Sequence, residues 1–293
     1  MELFGIPTAL LGSQLLVGLI NGSFYAVLSL GLAIIFGLLN IINFAHGAMY
    51  MMGAFIAWIA LTKFNVNYWA SLALAPLIVG LFGTVLERVL LRRLYKLDHL
   101  YGLLLTFGIA LIIEGVFRDQ YGITGQSYDV PEELEGGISL GFMFLPIYRA
   151  WVIVAALSVC FGTWFMIEKT KLGAYLRAGT ENPQIVQALG INVPILVTLT
   201  YGFGVALAAF TGVLAAPVFQ VNPVMGSNLL IVVFAVVVIG GMGSILGSIF
   251  TGLGLGIIEG LTKVFYPEGS SIVVFVVMVI VLLVRPTGLF GKS

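Results

Sequence analysis

The chain has 293 residues, of which 60% are hydrophobic and 9% are charged, whereas about 25% of the residues of a soluble domain are charged. This composition excludes an ordinary soluble domain and predicts a protein that lies in lipid. The 13 basic and 13 acidic residues cancel, so the charge gives no indication of nucleic-acid binding. A single cysteine excludes an internal disulfide and a cysteine-based metal site.

Apolar tracts long enough to be membrane spans recur along the whole chain, since a helix needs about 20 residues to cross a bilayer. We predict nine, at about residues 8–36, 41–61, 68–90, 101–118, 147–167, 194–219, 228–246, 247–265 and 271–285. The first tract is long enough to tilt, kink or break. The Gly-rich middle of the tract 228–265 allows two short spans or a re-entrant element. The predicted fold is an all-α polytopic membrane protein with about nine transmembrane helices, or eight, in one domain over residues 1–293.

Nine of the 13 basic residues fall on one side of the membrane if nine spans are present. They are Arg88, Arg92, Arg93, Lys96, Lys169, Lys171, Arg177, Arg285 and Lys292. The opposite side holds the loop 119–146, which carries five acidic residues: Asp119, Asp129, Glu132, Glu133 and Glu135. The positive-inside rule therefore predicts a cytoplasmic C-terminus, a periplasmic N-terminus and a periplasmic loop 119–146 in a multi-pass protein of the bacterial inner membrane.

Three hydrogen-bonding side chains interrupt the apolar sequence near the second span. Asn40, Asn43 and His46 are spaced by three residues, which places them on one face of a helix. Polar groups are costly in hydrocarbon, so they either form an interhelical hydrogen-bond set that fixes a break between the first two spans or face a solute path. The candidate path residues are Asn21, Tyr25, Asn40, Asn43, His46 and Thr106. Glu114 and Glu259 also lie within apolar tracts. Each is a candidate for the pore, for a buried structural pair or for a position near a membrane interface.

The segment 171–193 between the fifth and sixth spans predicts a short amphipathic helix. Asn182 followed by Pro183 is typical of a helix start. Apolar residues at helical spacing and a glycine stop follow, namely Ile185, Val186, Leu189 and Gly190. A helix of about two turns is marginal in water by itself. It therefore either lies on lipid headgroups or inserts into the groove of a partner protein.

No pattern in the sequence predicts catalysis. There are only two histidines, no Ser-His-Asp set and no H-E-x-x-H motif, and the terminal Gly-Lys-Ser lacks the earlier glycine and the following helix of a phosphate loop. We therefore predict no catalytic site, no metal site and no cofactor bound by this chain. A channel or an ion-coupled secondary transporter is the alternative class, but such a transporter needs carboxylates near the middle of the membrane, where Glu114 and Glu259 are the candidates.

Several segments spread along the chain resemble those of one protein family. They are GSFYAVLSLGLAIIFGLLNIINFAHGAMYMMGA, ERVLLRRL, TKLGAYLRAGTENPQIVQALGIN, GVLAAPVF, VVIGGMGSILGS and RPTGLFG. In these segments the chain resembles the LivH-type permeases of the bacterial branched-chain amino-acid ABC importers. Relatives in this family resemble importers of branched-chain or other amino acids, short amides, urea or aromatic acids.

The resemblance implies a complex. It contains a second permease subunit (LivM-like, or a second copy of the same chain), two cytoplasmic ATPases that bind ATP and Mg, a periplasmic solute-binding protein and the surrounding membrane lipid, but no nucleic acid. It also implies that the short helix in 171–193 is the coupling helix that contacts an ATPase. The residues that this role implies are Arg177, Glu181, Asn182, Gln184, Ile185, Leu189 and Gly190.

Overall fold

The computed structural model describes residues 2–3, 6–39, 42–95, 97–141 and 143–291. The α-helices in this part of the chain are α1 Thr8–Leu39, α2 Ala45–Phe64, α3 Tyr68–Val89, α4 His99–Tyr121, α5 Ile147–Lys169, α6 Lys171–Glu181, α7 Pro183–Ala188, α8 Val193–Ala215, α9 Met225–Gly240, α10 Ile245–Phe265 and α11 Val273–Val284. The described chain is thus mainly helical, as the sequence predicts. Asn40, Lys96 and Lys292, which the sequence analysis names, lie outside the described residues.

Two short antiparallel strand pairs also occur among the described residues. Strand β1 (Glu2–Leu3) pairs with β2 (Ile6–Pro7) before α1. Strand β3 (Gly137–Ser139) pairs with β4 (Phe144–Pro146) just before α5. The second pair lies in the acidic loop 119–146, which also holds a 3₁₀ helix at Glu132–Leu134.

Each of the nine predicted spans corresponds to one apolar helix. Seven of the described helices are long and apolar enough to cross a membrane, and α9 and α11 are shorter apolar helices. Helix α1 is continuous over 32 residues, about 48 Å at 1.5 Å per residue, so it exceeds the hydrocarbon thickness without breaking. The Gly-rich tract 228–265 forms two helices, because Gly241 and Gly243 turn the chain between them with φ of 98° and 84°.

Helix α1 lies at the centre of the molecule and packs against α5, α8, α9 and α10. Its closest approach is to α10, where glycines face each other. A Cβ on Gly18 would lie 2.5 Å from the carbonyl oxygen of Gly256, and one on Gly252 would lie 2.6 Å from the backbone nitrogen of Ala26. Small residues at this interface allow the two backbones to touch, as in other membrane helix pairs.

The end of the chain returns to the turn between α9 and α10. The backbone nitrogens of Leu289 and Phe290 donate to the carbonyls of Ile239 (2.8 Å) and Gly240 (3.1 Å). These contacts satisfy carbonyl groups at the end of α9 that have no partner within the helix. They also bring together the GGMGS and RPTGLFG segments, which are far apart in the sequence.

Candidate functional site

A cavity of about 540 Å³ opens between α1, α2, α9, α10 and the connection between α8 and α9. Its size is within the range of about 300–1,000 Å³ that is typical of small-molecule sites. Its polar wall consists of Asn21, Tyr25, Tyr50, Gln220, Asn222, Asn228 and Glu259. Its apolar wall consists of Phe24, Phe219, Met225 and Leu229. We call it the polar cavity.

An acid in the wall of this cavity is held by two neighbours. The hydroxyl of Tyr25 on α1 donates to Glu259 Oε2 on α10 at 2.7 Å. The ammonium of Lys263, one turn further along α10, donates to Glu259 Oε1 at 2.7 Å. The ion pair of Glu259 and Lys263 is neutral overall, which lowers the free-energy cost of a carboxylate in a helix surrounded by lipid.

The wall of the polar cavity is joined to the acidic loop. The backbones of Gln126 and Val221 exchange two hydrogen bonds, of 2.8 and 2.9 Å. Val221 lies between Gln220 and Asn222, which line the cavity. The cavity is therefore on the acidic side of the molecule, the side that the positive-inside rule assigns to the periplasm.

The structure separates the predicted path residues into two groups. Asn21 and Tyr25 line the polar cavity, and so does Glu259. Asn43, His46 and Thr106 are buried, with at most 1% of each exposed, and they do not line it. Asn40 lies outside the described residues.

The second group surrounds the chain where it enters α2. His46 Nε2 lies 2.9 Å from the carbonyl oxygen of Leu28 on α1. Asn43 Oδ1 accepts from the backbone nitrogen of Ala45 at 3.1 Å. Thr106 on α4 accepts from the nitrogen of Phe44 at 3.1 Å and donates to the carbonyl of Ile42 at 3.3 Å. This arrangement favours the structural interpretation of the motif, a hydrogen-bond set that holds α1, α2 and α4 around the break.

Sequence reasoning missed four polar residues of the cavity wall, namely Tyr50, Gln220, Asn222 and Asn228, and its four apolar residues. A signal for three of them is present, because Gln220, Asn222 and Asn228 place three amides within nine residues between two apolar spans. Tyr50 carries no comparable signal, since it lies among the apolar residues of α2.

The segment after α5 forms two helices rather than one. Helix α7 has the predicted start and stop, because Asn182 Oδ1 accepts from the backbone nitrogen of Ile185 at 3.2 Å and Gly190 has a φ of 86°. A left-handed glycine of this kind ends many helices. Helix α6, which the sequence analysis does not predict, precedes it and buries Gly173, Leu176 and Gly179.

The apolar residues of α7 and Leu189, which follows it, lie partly on a buried face and partly on an exposed face. Val186 is 5% exposed and packs against the rest of the chain, whereas Ile185 is 59% and Leu189 74% exposed. Gln184 is also exposed. The two exposed apolar side chains, four residues apart, form a small surface on the basic side, which we call the α7 surface.

The charged residues of this segment lie beside a second cavity of about 560 Å³. Arg177, Thr180 and Glu181 line it together with the turn 242–246 and the residues 290–291. Arg177 also contacts Glu168 at 3.4 Å and donates to the carbonyl of Ile167 at 3.3 Å. The second cavity thus joins the α6–α7 segment to the turn between α9 and α10. No group of three or more potential metal ligands occurs among the described residues.

Comparison with known proteins identifies the family. The family model described as "Branched-chain amino acid transport system / permease component" matches residues 14–282. The chain belongs to this family. The permease is 32% identical to the high-affinity branched-chain amino acid transport system permease protein BraD of Pseudomonas aeruginosa, over 95% of both chains. It is 30% identical to the corresponding protein LivH of Escherichia coli K12, again over 95% of both chains.

A more distant similarity extends to a second kind of permease subunit. The chain is 26% identical to the branched-chain amino acid permease protein LivM of Salmonella typhimurium, over 92% of this chain and 68% of LivM. No solved structure matches the permease. Together with the nine apolar helices found among the described residues, the family membership establishes a multi-pass membrane protein that is a component of a transport system.

Proposed function

We propose that this permease is one of two transmembrane subunits of an ABC importer that carries branched-chain amino acids across the bacterial inner membrane. The family match over residues 14–282 carries the proposal. The relatives named LivH and BraD are described as parts of high-affinity branched-chain amino acid transport systems. The second subunit is a LivM-like permease, because permeases of both kinds are similar to this chain.

The α7 surface is the proposed contact with an ATPase. Two neighbouring apolar side chains that are mostly exposed are typical of a helix that inserts into a groove. Cytoplasmic ATPases, with ATP and Mg bound to them, would supply the energy, and a periplasmic solute-binding protein would deliver the solute to the acidic side. The polar cavity, on that side, is the proposed part of the solute path in this subunit.

Purification of the permease with its partners tests this function. We expect an ATPase and a second permease to copurify, ATP hydrolysis to rise when the leucine-loaded binding protein is added, and proteoliposomes to accumulate leucine. Uptake that needs an ion gradient and no ATPase would instead indicate a secondary transporter. Stimulation by urea, a short amide or an aromatic acid, but not by leucine, would keep the importer and change its solute.

A further inference from the structure

The polar cavity contains three chemically distinct regions. One is the carboxylate of Glu259, one is a group of amide side chains, and one is an apolar wall of Phe24, Met225 and Leu229. A site that combines an anion, neutral hydrogen-bond donors and an apolar wall is complementary to a ligand with three matching parts.

The carboxylate of Glu259 has capacity for a further donor. A carboxylate offers about four acceptor positions, and Tyr25 and Lys263 use one on each oxygen. Lys263 balances the charge but is not part of the cavity wall, whereas Glu259 is. A ligand ammonium can therefore bind the carboxylate without breaking the existing pair, and charge-assisted bonds of this kind are among the strongest in proteins.

The amide region is also available to a ligand. Within the described part of the chain, the side chains of Asn21, Gln220 and Asn228 make no hydrogen bond. Each amide provides two N–H donors, which suit a ligand carboxylate, and their neutrality leaves Glu259 as the only charged group in the described wall.

We propose that the polar cavity binds an amino acid as its zwitterion, with Glu259 accepting the ammonium, the amides donating to the carboxylate and the apolar wall packing on the side chain. The inference rests on the proposed transport function and adds the site in this subunit where the solute binds. Urea has no ammonium, and an aromatic acid has no ammonium and the same charge as Glu259, so neither matches all three regions.

The first test compares two Glu-to-Gln variants in the reconstituted importer, with leucine-loaded binding protein. Glu259→Gln removes the anion from the cavity, and Glu114→Gln is the matched control. Glu114 also lies within an apolar helix and pairs with an arginine four residues later, Arg118, but it is not in the cavity wall.

We expect Glu259→Gln to lower leucine uptake by about tenfold or more, as for loss of a charge-assisted bond. ATP hydrolysis stimulated by the loaded binding protein should persist, and Glu114→Gln should behave as the wild type.

Equal uptake by Glu259→Gln and the wild type would overturn the proposal. So would an equal loss in both variants, because that would be a general effect of unpairing a cation in the membrane. If the wild-type complex takes up no leucine at all, the proposed transport function is wrong. That result differs from the two outcomes above, in which the wild type transports leucine and only the binding site is wrong.

A second test does not need the Glu259 variant to assemble. An Asn228→Cys variant in a Cys160→Ala background places one thiol in the cavity wall. The reaction rates with a cationic trimethylammonium-ethyl and an anionic sulfonato-ethyl methanethiosulfonate are then compared. The rate ratio of the cationic to the anionic reagent is normalised at each position to the ratio for a small free thiol. If Glu259 attracts cations, this normalised ratio is higher at the cavity thiol than at an exposed control thiol, Ser139→Cys, which has no charged residue within three positions. Equal normalised ratios at the two positions would overturn the proposal.

Discussion

At the scale of single residues, the polar side chains around the start of α2 take part in packing. His46 is fully buried and its Nε2 atom contacts the carbonyl of Leu28, in the middle of α1. A carbonyl in the middle of a helix already accepts one backbone bond, so the histidine uses its second acceptor position. The imidazole thereby joins α1 to α2 where the chain between them turns.

We expect His46→Leu to destabilise the folded permease rather than to block the solute. Loss of the bond costs about 0.5–1.5 kcal/mol, because the Leu28 carbonyl keeps its helical backbone bond. The measurement is the thermal unfolding temperature of the detergent-solubilised protein, together with leucine uptake per folded molecule. His99→Leu is the control, because His99 is exposed at the start of α4. Normal stability with abolished uptake would assign His46 to the solute path instead.

At the scale of elements, one side of the α6–α7 segment is buried against the permease and the other side is exposed. Leu176 and Val186 are each 5% exposed and hold the segment to the permease. Ile185 and Leu189 point away from the permease on the other face of α7. Such a segment can transmit a movement of a bound partner to the helices that flank it.

We expect Leu189→Asp to weaken ATPase association and to uncouple ATP hydrolysis from leucine uptake. Burying a leucine in a groove contributes about 1.5–3 kcal/mol, so the dissociation constant should rise by roughly 10- to 100-fold. Glu181→Gln should be mild, because an exposed charge pair contributes about 0–1 kcal/mol. Copurification of the ATPase and uptake in proteoliposomes measure both effects. Full association of the Leu189→Asp variant would instead place α7 on the lipid surface.

At the scale of the whole molecule, charge and cavities are distributed asymmetrically. The polar cavity is tied to the acidic loop through Gln126 and Val221, and the second cavity adjoins the basic α6–α7 segment. Helix α1 lines both, with Asn21 and Tyr25 in one and Phe36 and Gly37 in the other. Its residues between the two cavities are buried, so a conformational change that involves α1 would affect both ends.

We expect the acidic loop to face the periplasm and the turn after α3 to face the cytoplasm. Single cysteines at Arg92 and Glu133, two exposed positions, test this in a Cys160→Ala background. An impermeant thiol reagent added to intact spheroplasts should label Glu133→Cys but not Arg92→Cys, because basic loops are retained inside. Labelling of both cysteines, or of Arg92→Cys alone, would contradict the orientation.

Features of this permease that depend only on neighbouring residues can be predicted from the sequence. The nine apolar spans and the start and stop of α7 follow from local composition, because a backbone in lipid must satisfy its hydrogen bonds within the helix. The cap at Asn182 and the left-handed Gly190 are likewise properties of a few adjacent residues. Helix α6 was missed because two glycines interrupt its 11 residues, and burial of Gly173, Leu176 and Gly179 against the bundle stabilises it.

Contacts between polar residues of different helices depend on the packing of the folded chain. Tyr25 and Glu259 are 234 residues apart in the chain, and no local pattern brings them together. The same holds for Glu87, a buried acid on α3 that accepts hydrogen bonds from Tyr95 and from Thr198 on α8. Burial and the nearby Glu87 raise the pKa of Tyr95 well above its usual value. A polar group in an apolar sequence needs either a hydrogen-bond partner or a cavity. Helix packing determines which of the two it has. In this permease Asn21 lines a cavity, whereas His46 is buried.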